Sequence, residues 1–241
     1  MFGVPINALT MDQVLSIVEE TIENRGRLLI GVVNAAKLVN MRRDEALRRA
    51  VLSADMILAD GISVVWAARL LNRRLPERVA GIDLMHGMLQ RGQERSYRVY
   101  GLGATEEVLG AVVARIQADY PGVVVAGTHN GYFSYEEEPD IVAGIRAAHP
   151  DILFVAMSPP KKEIFLARWS DKLGVPVCHG VGGAFDVLAG KVRRAPQRWQ
   201  RLGLEWLYRV VQEPRRMWRR YLVTNTRFGG MVLAEMLGRR E

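Results

Sequence analysis

The chain has 241 residues, of which 49% are apolar and 24% charged, and its formal net charge is +7. This length suits one α/β domain with an appendage, and the composition is ordinary for a globular enzyme. No apolar run reaches the roughly 18 residues that a membrane-spanning helix needs, and no signal peptide is recognisable. The single cysteine, Cys178, excludes an internal disulfide and a cysteine-based metal site, so a reducing cytoplasm is the expected compartment.

Short apolar strands alternate with amphipathic helices through the first 190 residues. A helix is predicted over about 11–24, because Thr10 and Gln13 form a capping box in front of it. Strands are predicted at 28–33, 55–60, 97–103, 123–127, 151–157 and 175–182. Further helices are predicted to begin at Asn34 and to cover 44–54, 62–71, 82–94, 104–119, 136–148, 161–173 and 184–190. This alternation predicts a Rossmann-like α/β fold, with a largely parallel sheet covered by helices on both faces.

The alternation stops near Arg194, and only helical patterns follow it, at about 196–201, 203–212 and 214–238. We therefore predict one domain over residues 1–194 and a helical, arginine-rich appendage over residues 195–241. Residues 191–241 hold 13 Lys and Arg against 4 Asp and Glu, a net charge of +9, whereas the first 190 residues hold 20 against 22. Such a block is typical of a chain that meets nucleic acid, anionic lipid or phosphate, and a solvated helix face is an equally good interpretation.

Polar and glycine-rich segments follow the predicted strands, where ligands of open α/β sheets bind. These segments are Asn34, Asp60-Gly61, Gly101-Leu102-Gly103, 129–132, 158–163 and 180–183. Gly101 and Gly103 can present backbone N–H groups to a diphosphate, or can simply form a tight turn. Glu106 stands where the dinucleotide fingerprint requires a third Gly or Ala, which disfavours a nicotinamide-dependent oxidoreductase.

Asp60 is the candidate general base. It ends an apolar strand and precedes a glycine, so its carboxylate can project into a crevice and accept a proton, or it can cap the next helix. Arg78 can contact a ligand or pair with Glu77 at the surface. The four histidines are scattered and the sequence has no Asp-x-Asp pair, so no metal site is predicted. Arginines and helix ends would then neutralise a departing diphosphate.

Three arginines of the appendage can stack on one side of a helical pattern, since they are seven and three residues apart. They are Arg209, Arg216 and Arg219. Aromatic residues interleave with them, namely Trp206, Trp218 and Tyr221. This pattern suits a membrane interface, and core aromatics that pack the appendage on the sheet are an equal alternative.

Together these motifs resemble the WecG/TagA/CpsF family of bacterial glycosyltransferases, and the chain looks like an N-acetylmannosaminyltransferase of that family. The matching stretches run in family order over nearly the whole chain. They are ADMILADGISVVW (54–66), LPERVAGIDL (75–84), VYGLGA (99–104), HNGYF (129–133), GVGGAFDVLAGKVRRAP (180–196) and LGLEWLYRVVQEPRR (202–216).

The resemblance implies an inverting, metal-independent transfer from a UDP-sugar to a saccharide on a polyprenyl diphosphate, in cell-envelope polysaccharide synthesis. It implies an enzyme that is cytoplasmic and peripheral on the inner leaflet of the membrane, with no cofactor and no nucleic-acid partner; a homo-oligomer is left open. The catalytic residues that it implies are Asp60 as general base and, around the diphosphate, Arg78, Arg209, Arg216 and Arg219. The donor-binding candidates are Asn34, Gly101, Gly103, Tyr132, Lys162, Glu163 and Asp186.

Two segments depart from the family pattern. A Gly-x-Pro-x-Gln-Glu segment reads SPPKKE (158–163) here, so Lys162 replaces a glutamine, and a Thr-Pro-Asn-like segment reads Val32-Val33-Asn34. A cation at position 162 can contact a phosphate or an acidic sugar, which leaves the donor sugar open. The alternative function is an α/β protein that binds nucleic acid through its basic tail, with an affinity that falls steeply with salt.

Overall fold

Six parallel strands form one sheet in a computed structural model of the protein. The structure describes residues 1–201, 203–212 and 214–238. At positions 197, 201, 209, 215–217 and 219–221 it describes the backbone alone. The strands are β1 (Leu28–Val33), β2 (Met56–Ala59), β3 (Arg98–Gly103), β4 (Val124–His129), β5 (Ile152–Ala156) and β6 (Val177–Gly180). Their order across the sheet is β2-β1-β6-β5-β3-β4. The predicted Rossmann-like α/β fold is confirmed, and every strand pair is parallel.

Helices cover both faces of this sheet. They are α1 (Met11–Glu23), α2 (Ala35–Met41), α3 (Glu45–Leu52), α4 (Ile62–Leu70), α5 (Gly81–Arg95), α6 (Glu106–Asp119), α7 (Glu138–Ala147), α8 (Lys161–Leu173), α9 (Ala184–Leu188), α10 (Gln197–Arg201), α11 (Glu205–Gln212) and α12 (Pro214–Met236). The predicted capping box at Thr10 is present, with Gln13 completing it.

Alternate residues of each strand enter different hydrophobic clusters. In β5, Ile152 and Phe154 pack with α1, α5, α6 and α9, whereas Leu153 and Val155 pack with α7 and α8 on the other face. All five residues of β5 are buried, which explains why this strand reads as an unbroken apolar run rather than an alternating one. A third cluster joins β1 and β2 to α2, α3 and α4.

The second half of α12 packs into that third cluster through Phe228, Met231 and Val232. Glu235 fixes the end of the helix, since its carboxylate pairs with Arg73 at 2.9 Å and accepts a hydrogen bond from a backbone N–H near the N-terminus. The last helix thus contributes to the same core as the residues around β1 and β2. Among the described residues, no helix combines the length and apolarity that crossing a bilayer demands.

Candidate active site

Asp60 lies at the carboxyl edge of the sheet, directly after β2. The register pairs Val33 of β1 with Ala59 of β2, so the residues that follow them, Asn34 and Asp60, are neighbours. The Asn34 amide lies 3.4 Å from Asp60 Oδ2, and the Gly81 N–H donates to Asp60 Oδ1 at 3.0 Å. The carboxylate is half-buried and faces two other segments of the edge.

Asp60 does not cap the helix that follows it, because α4 begins at the N-cap Gly61 without any side-chain capping bond. Its carboxylate instead receives the first N–H of α5, a helix of 15 residues whose own N-cap, Ala80, has no side chain for that purpose. A helix N-terminus presents partial positive charge, which stabilises a carboxylate placed against it. The side chain of Asp60 is therefore held in a fixed position at the edge.

Asn34 orients this carboxylate while capping α2. Its Oδ1 accepts a hydrogen bond from the Lys37 N–H at 3.0 Å, which turns its amide nitrogen toward Asp60. The sequence predicted both the helix start at Asn34 and its place at the edge, and the structure joins the two roles in one side chain.

Beside Asp60, two lysines meet one glutamate in a buried ionic cluster. Lys37 Nζ and Lys162 Nζ lie 2.8 and 2.6 Å from Glu163 Oε1, although neither is aligned for a good hydrogen bond. The three side chains are only 10%, 6% and 8% exposed, and Lys37 also donates to the Val32 carbonyl at 2.7 Å. Within the described chain, Glu163 Oε2 has no hydrogen-bond partner.

The charges of this cluster act on each other strongly. Burial, and then the neighbouring charge of Lys37, lowers the pKa of Lys162 to about 8, against the opposing attraction of Glu163 and Asp60. Burial raises the pKa of Glu163, but the Lys37 and Lys162 ammonium groups outweigh it and hold that pKa below its usual range. A small cavity of about 30 Å³ adjoins the cluster, with room for one or two waters.

Arg78 belongs to a second ionic cluster, which links the start of α5 to the start of α11. Its guanidinium pairs with Glu205, in the first turn of α11, and lies 3.3 Å from Asp83. Arg194 donates two hydrogen bonds, of 2.6 and 2.8 Å, to the Asp83 carboxylate. Burial raises the pKa of Asp83, but Arg194 and then Arg78 bring it below its usual value. The alternative that Arg78 pairs with Glu77 at the surface is wrong.

His179 lies completely buried under the first residue of α5. Its Nε2 is 3.1 Å from the Gly81 carbonyl oxygen and its Nδ1 is 3.4 Å from that of Ile30. Burial lowers the pKa of His179, and the neutral ring can donate through only one of these two nitrogens. Gly81 therefore contacts His179 through its carbonyl oxygen, while its N–H donates to Asp60.

Gly101 lies within β3 and Gly103 is the last residue of that strand. Gly103 has φ +120°, and a Cβ there would lie 2.4 Å from the Ala156 carbonyl oxygen, so only glycine fits. The Ala104 N–H donates to that same oxygen. A Cβ at Gly101 would press on Phe185 at 3.3 Å. These constraints are met by packing alone, and a phosphate-binding role for these glycines stays a prediction.

Among the remaining sequence candidates, Tyr132 and Asp186 have described side chains, whereas the three arginines of the appendage do not. Tyr132, 78% exposed, follows β4, and Asp186 lies half-buried in the first turn of α9. β3 lies three strand positions from β1, which corresponds to about 14 Å across the edge. An extended ligand would therefore be needed to contact both Asn34, which follows β1, and Gly103, at the end of β3. The side chains of Arg209, Arg216 and Arg219 lie outside the described residues, as does that of Tyr221.

Sequence reasoning missed five residues around Asp60: Lys37, Asp83, His179, Arg194 and Glu205. Lys37 carried a signal, since it lies in the first turn of the helix that the polar strand-end residue Asn34 begins. Asp83 and Arg194 lie within the motif stretches but have no local pattern that pairs them. Among the described residues, no three His, Cys, Asp or Glu side chains gather as metal ligands would.

The whole chain, residues 1–241, matches the profile of the family described as "Glycosyl transferase WecG/TagA/CpsF family". Two curated relatives, from Bacillus spizizenii and Bacillus subtilis, are 39% and 38% identical to it over 170 residues. Both are named N-acetylglucosaminyldiphosphoundecaprenol N-acetyl-beta-D-mannosaminyltransferase. The match covers 70% of this chain and 65% of each relative, so the chain spans just under two thirds of their length.

Proposed function

Because the chain belongs to the WecG/TagA/CpsF family of glycosyl transferases, we propose that it moves a sugar from a UDP-sugar to a saccharide carried on a polyprenyl diphosphate. The relatives' names describe an acceptor of this kind, an N-acetylglucosaminyl diphosphate attached to undecaprenol. The observation that carries the proposal is the fixed carboxylate of Asp60, held at the sheet edge between Asn34 and the N-terminus of α5.

The proposed reaction is a single displacement. Asp60 takes the proton of an acceptor hydroxyl, and that oxygen attacks the anomeric carbon of the donor from the face opposite UDP. The bond from this carbon to the diphosphate oxygen breaks, UDP leaves with the electron pair, and the anomeric configuration inverts. Each oxygen of Asp60 has one observed contact, so a further lone pair remains for the hydroxyl proton.

In this proposal arginines, rather than a metal ion, offset the charge that develops on the departing diphosphate. Arg78 is the candidate nearest the start of α5, and the appendage arginines Arg209, Arg216 and Arg219 supply the rest. Planar guanidinium groups bind phosphate oxygens in pairs, which suits them to this task.

We propose that the enzyme works at the cytoplasmic face of the membrane, bound peripherally. A membrane-held acceptor requires an enzyme that reaches the bilayer surface, and the tail carries a net charge of +9 over residues 191–241. Apolar side chains are exposed on the same appendage, among them Trp206, Trp218 and Leu222. A basic helix with exposed apolar side chains is typical of interfacial binding.

The test is Asp60→Asn, which keeps an oxygen for the Gly81 N–H but cannot take a proton. We expect kcat to fall by about 10²–10⁴-fold while UDP binding, measured by calorimetry, stays near the wild-type value. Turnover is followed as UDP release with a panel of UDP-sugars and a synthetic lipid-diphosphate saccharide, and the anomer of the product is read by NMR. Asp119→Asn, at the end of α6, is the matched control. Wild-type turnover in Asp60→Asn would remove this residue from the mechanism.

A further inference from the structure

A pocket of about 340 Å³ lies between α2 and α12, on a part of the surface that the proposed chemistry does not use. Its rim carries three arginines, Arg42, Arg43 and Arg227, and no acidic residue is among the side chains that line it. Three positive charges thus face one concave surface, which is the electrostatic arrangement of an anion site.

Two of these arginines have no counter-ion in the described part of the chain, where Arg43 and Arg227 form neither an ion pair nor a side-chain hydrogen bond. Two carboxylates near them in sequence are engaged elsewhere. Asp44, next to Arg43, caps α3 by accepting the Leu47 N–H, and Glu235, two turns beyond Arg227, is held by the Arg73 ion pair.

The floor of the pocket is apolar. It includes the buried side chains of Val39 and Met231, and Gly230 leaves open space where a Cβ would project. Leu222 and Leu233 of α12 are 60% and 61% exposed, and their spacing of eleven residues places them on one side of the helix, with Thr226 and Gly230 between them. A cationic rim, an apolar floor and an apolar stripe together fit a phosphate that is attached to lipid.

We propose that this pocket binds the phosphate headgroup of an anionic phospholipid. The proposal rests on the proposed function only in that a membrane-held acceptor brings the enzyme to a bilayer. The proposal also fixes the distance between the pocket and the candidate active site. Helix α2 runs from Asn34, beside Asp60, to Arg42 at the pocket, which is about 12 Å along the helix. The lipid phosphates would then lie on the order of 12 Å from the reacting carboxylate.

The experiment compares two double variants in vesicle flotation. Arg43→Gln with Arg227→Gln removes the unpaired charges, and Arg115→Gln with Arg146→Gln removes two exposed charges from α6 and α7, helices that do not line the pocket. With vesicles of phosphatidylcholine plus phosphatidylglycerol, the pocket variant should partition about 30-fold more weakly, while the control should stay within about twofold of wild type. With phosphatidylcholine alone all three proteins should bind equally weakly.

Equal losses in both double variants would show a general charge effect and overturn the proposal, as would no loss in either. If the pocket variant keeps vesicle binding but loses binding of a single-stranded oligonucleotide, the partner is nucleic acid and the lipid assignment is wrong. Turnover with a water-soluble acceptor that lacks the polyprenyl chain separates the two proposals. This turnover should be unchanged in the pocket variant. If the wild-type protein shows no turnover of the soluble acceptor, that result counts against the proposed function and not against the lipid site.

Discussion

Replacing Lys162 by methionine should stabilise the fold at neutral pH. Methionine keeps the length of the side chain without its charge and leaves the Lys37–Glu163 ion pair, at 2.8 Å, in place. Burial lowers the pKa of Lys162 from 10.5 to about 8. Each pKa unit corresponds to about 1.4 kcal/mol, so keeping this buried ammonium charged costs about 3 kcal/mol, and the variant gains up to that amount.

The sign of the effect with pH follows from proton binding. Between about pH 8 and 10.5 the unfolded chain holds the Lys162 proton and the folded chain has lost it, so the free energy of unfolding rises with pH through this window. The cost of Lys162 is complete below about pH 8 and absent above 10.5. The advantage of the variant should therefore be about 3 kcal/mol at pH 7 and should shrink steadily as the pH approaches 10.5.

Urea unfolding followed by tryptophan fluorescence, at pH 7 and again near pH 10, measures this difference. Lys191→Met is the control, because this lysine is exposed and its loss should change the free energy of unfolding by less than about 0.5 kcal/mol. A Lys162→Met variant that is less stable than wild type at pH 7 would refute the reasoning, since the attraction to Glu163 would then outweigh the desolvation of Lys162. An advantage that does not change with pH would refute it too.

Three further changes probe the edge of the sheet. Gly103→Ala should destabilise the fold by more than about 2 kcal/mol in urea unfolding, because its Cβ would meet the Ala156 oxygen at 2.4 Å; an unchanged midpoint would contradict this. His179→Leu should lower kcat roughly tenfold with little change in the KM for donor, and His179→Gln, which keeps a donor for Gly81, should restore most of it. Equal loss in both variants would indicate a packing role. Arg78→Met removes the link to α11, so limited trypsin digestion should cut the appendage faster, and an unchanged rate would show that the link does not hold α11.

The architecture could be predicted from sequence because each element carries a local signal. β5 is a short apolar run bounded by polar residues, and the helix after β1 begins at Asn34, a residue that caps its own backbone. The local pattern also predicted that Asn34 and Asp60 lie at one edge of the sheet, because the carboxyl ends of parallel strands meet there. The strand order carries no such signal, as an apolar run reads the same wherever it lies in the sheet.

The partners of the edge residues could not be predicted, because they depend on which segments become neighbours. Arg78 lies beside Glu77 in sequence, yet it pairs with Glu205, 127 residues away. In the sequence, His179 is an isolated histidine with no evident partner. Its contact with the Gly81 carbonyl exists only because α5 packs over β6 in the fold. The unusual pKa of Lys162 arises in the same way, since Lys37 reaches it only after α2 and α8 are brought together.

The charges at the edge are balanced before any substrate arrives. Within the described residues around Asp60, four cations face four carboxylates: Lys37, Lys162, Arg78 and Arg194 against Asp60, Asp83, Glu163 and Glu205. The diphosphate of the proposed donor would add negative charge to this site, where the four positive charges are already matched by four negative ones. The additional positive charge has to come from elsewhere in the chain. The tail, with its net charge of +9, is the segment that holds it. Donor binding and the docking of the appendage are therefore expected to be coupled, with Glu205 and Arg78 as the contact through which one affects the other.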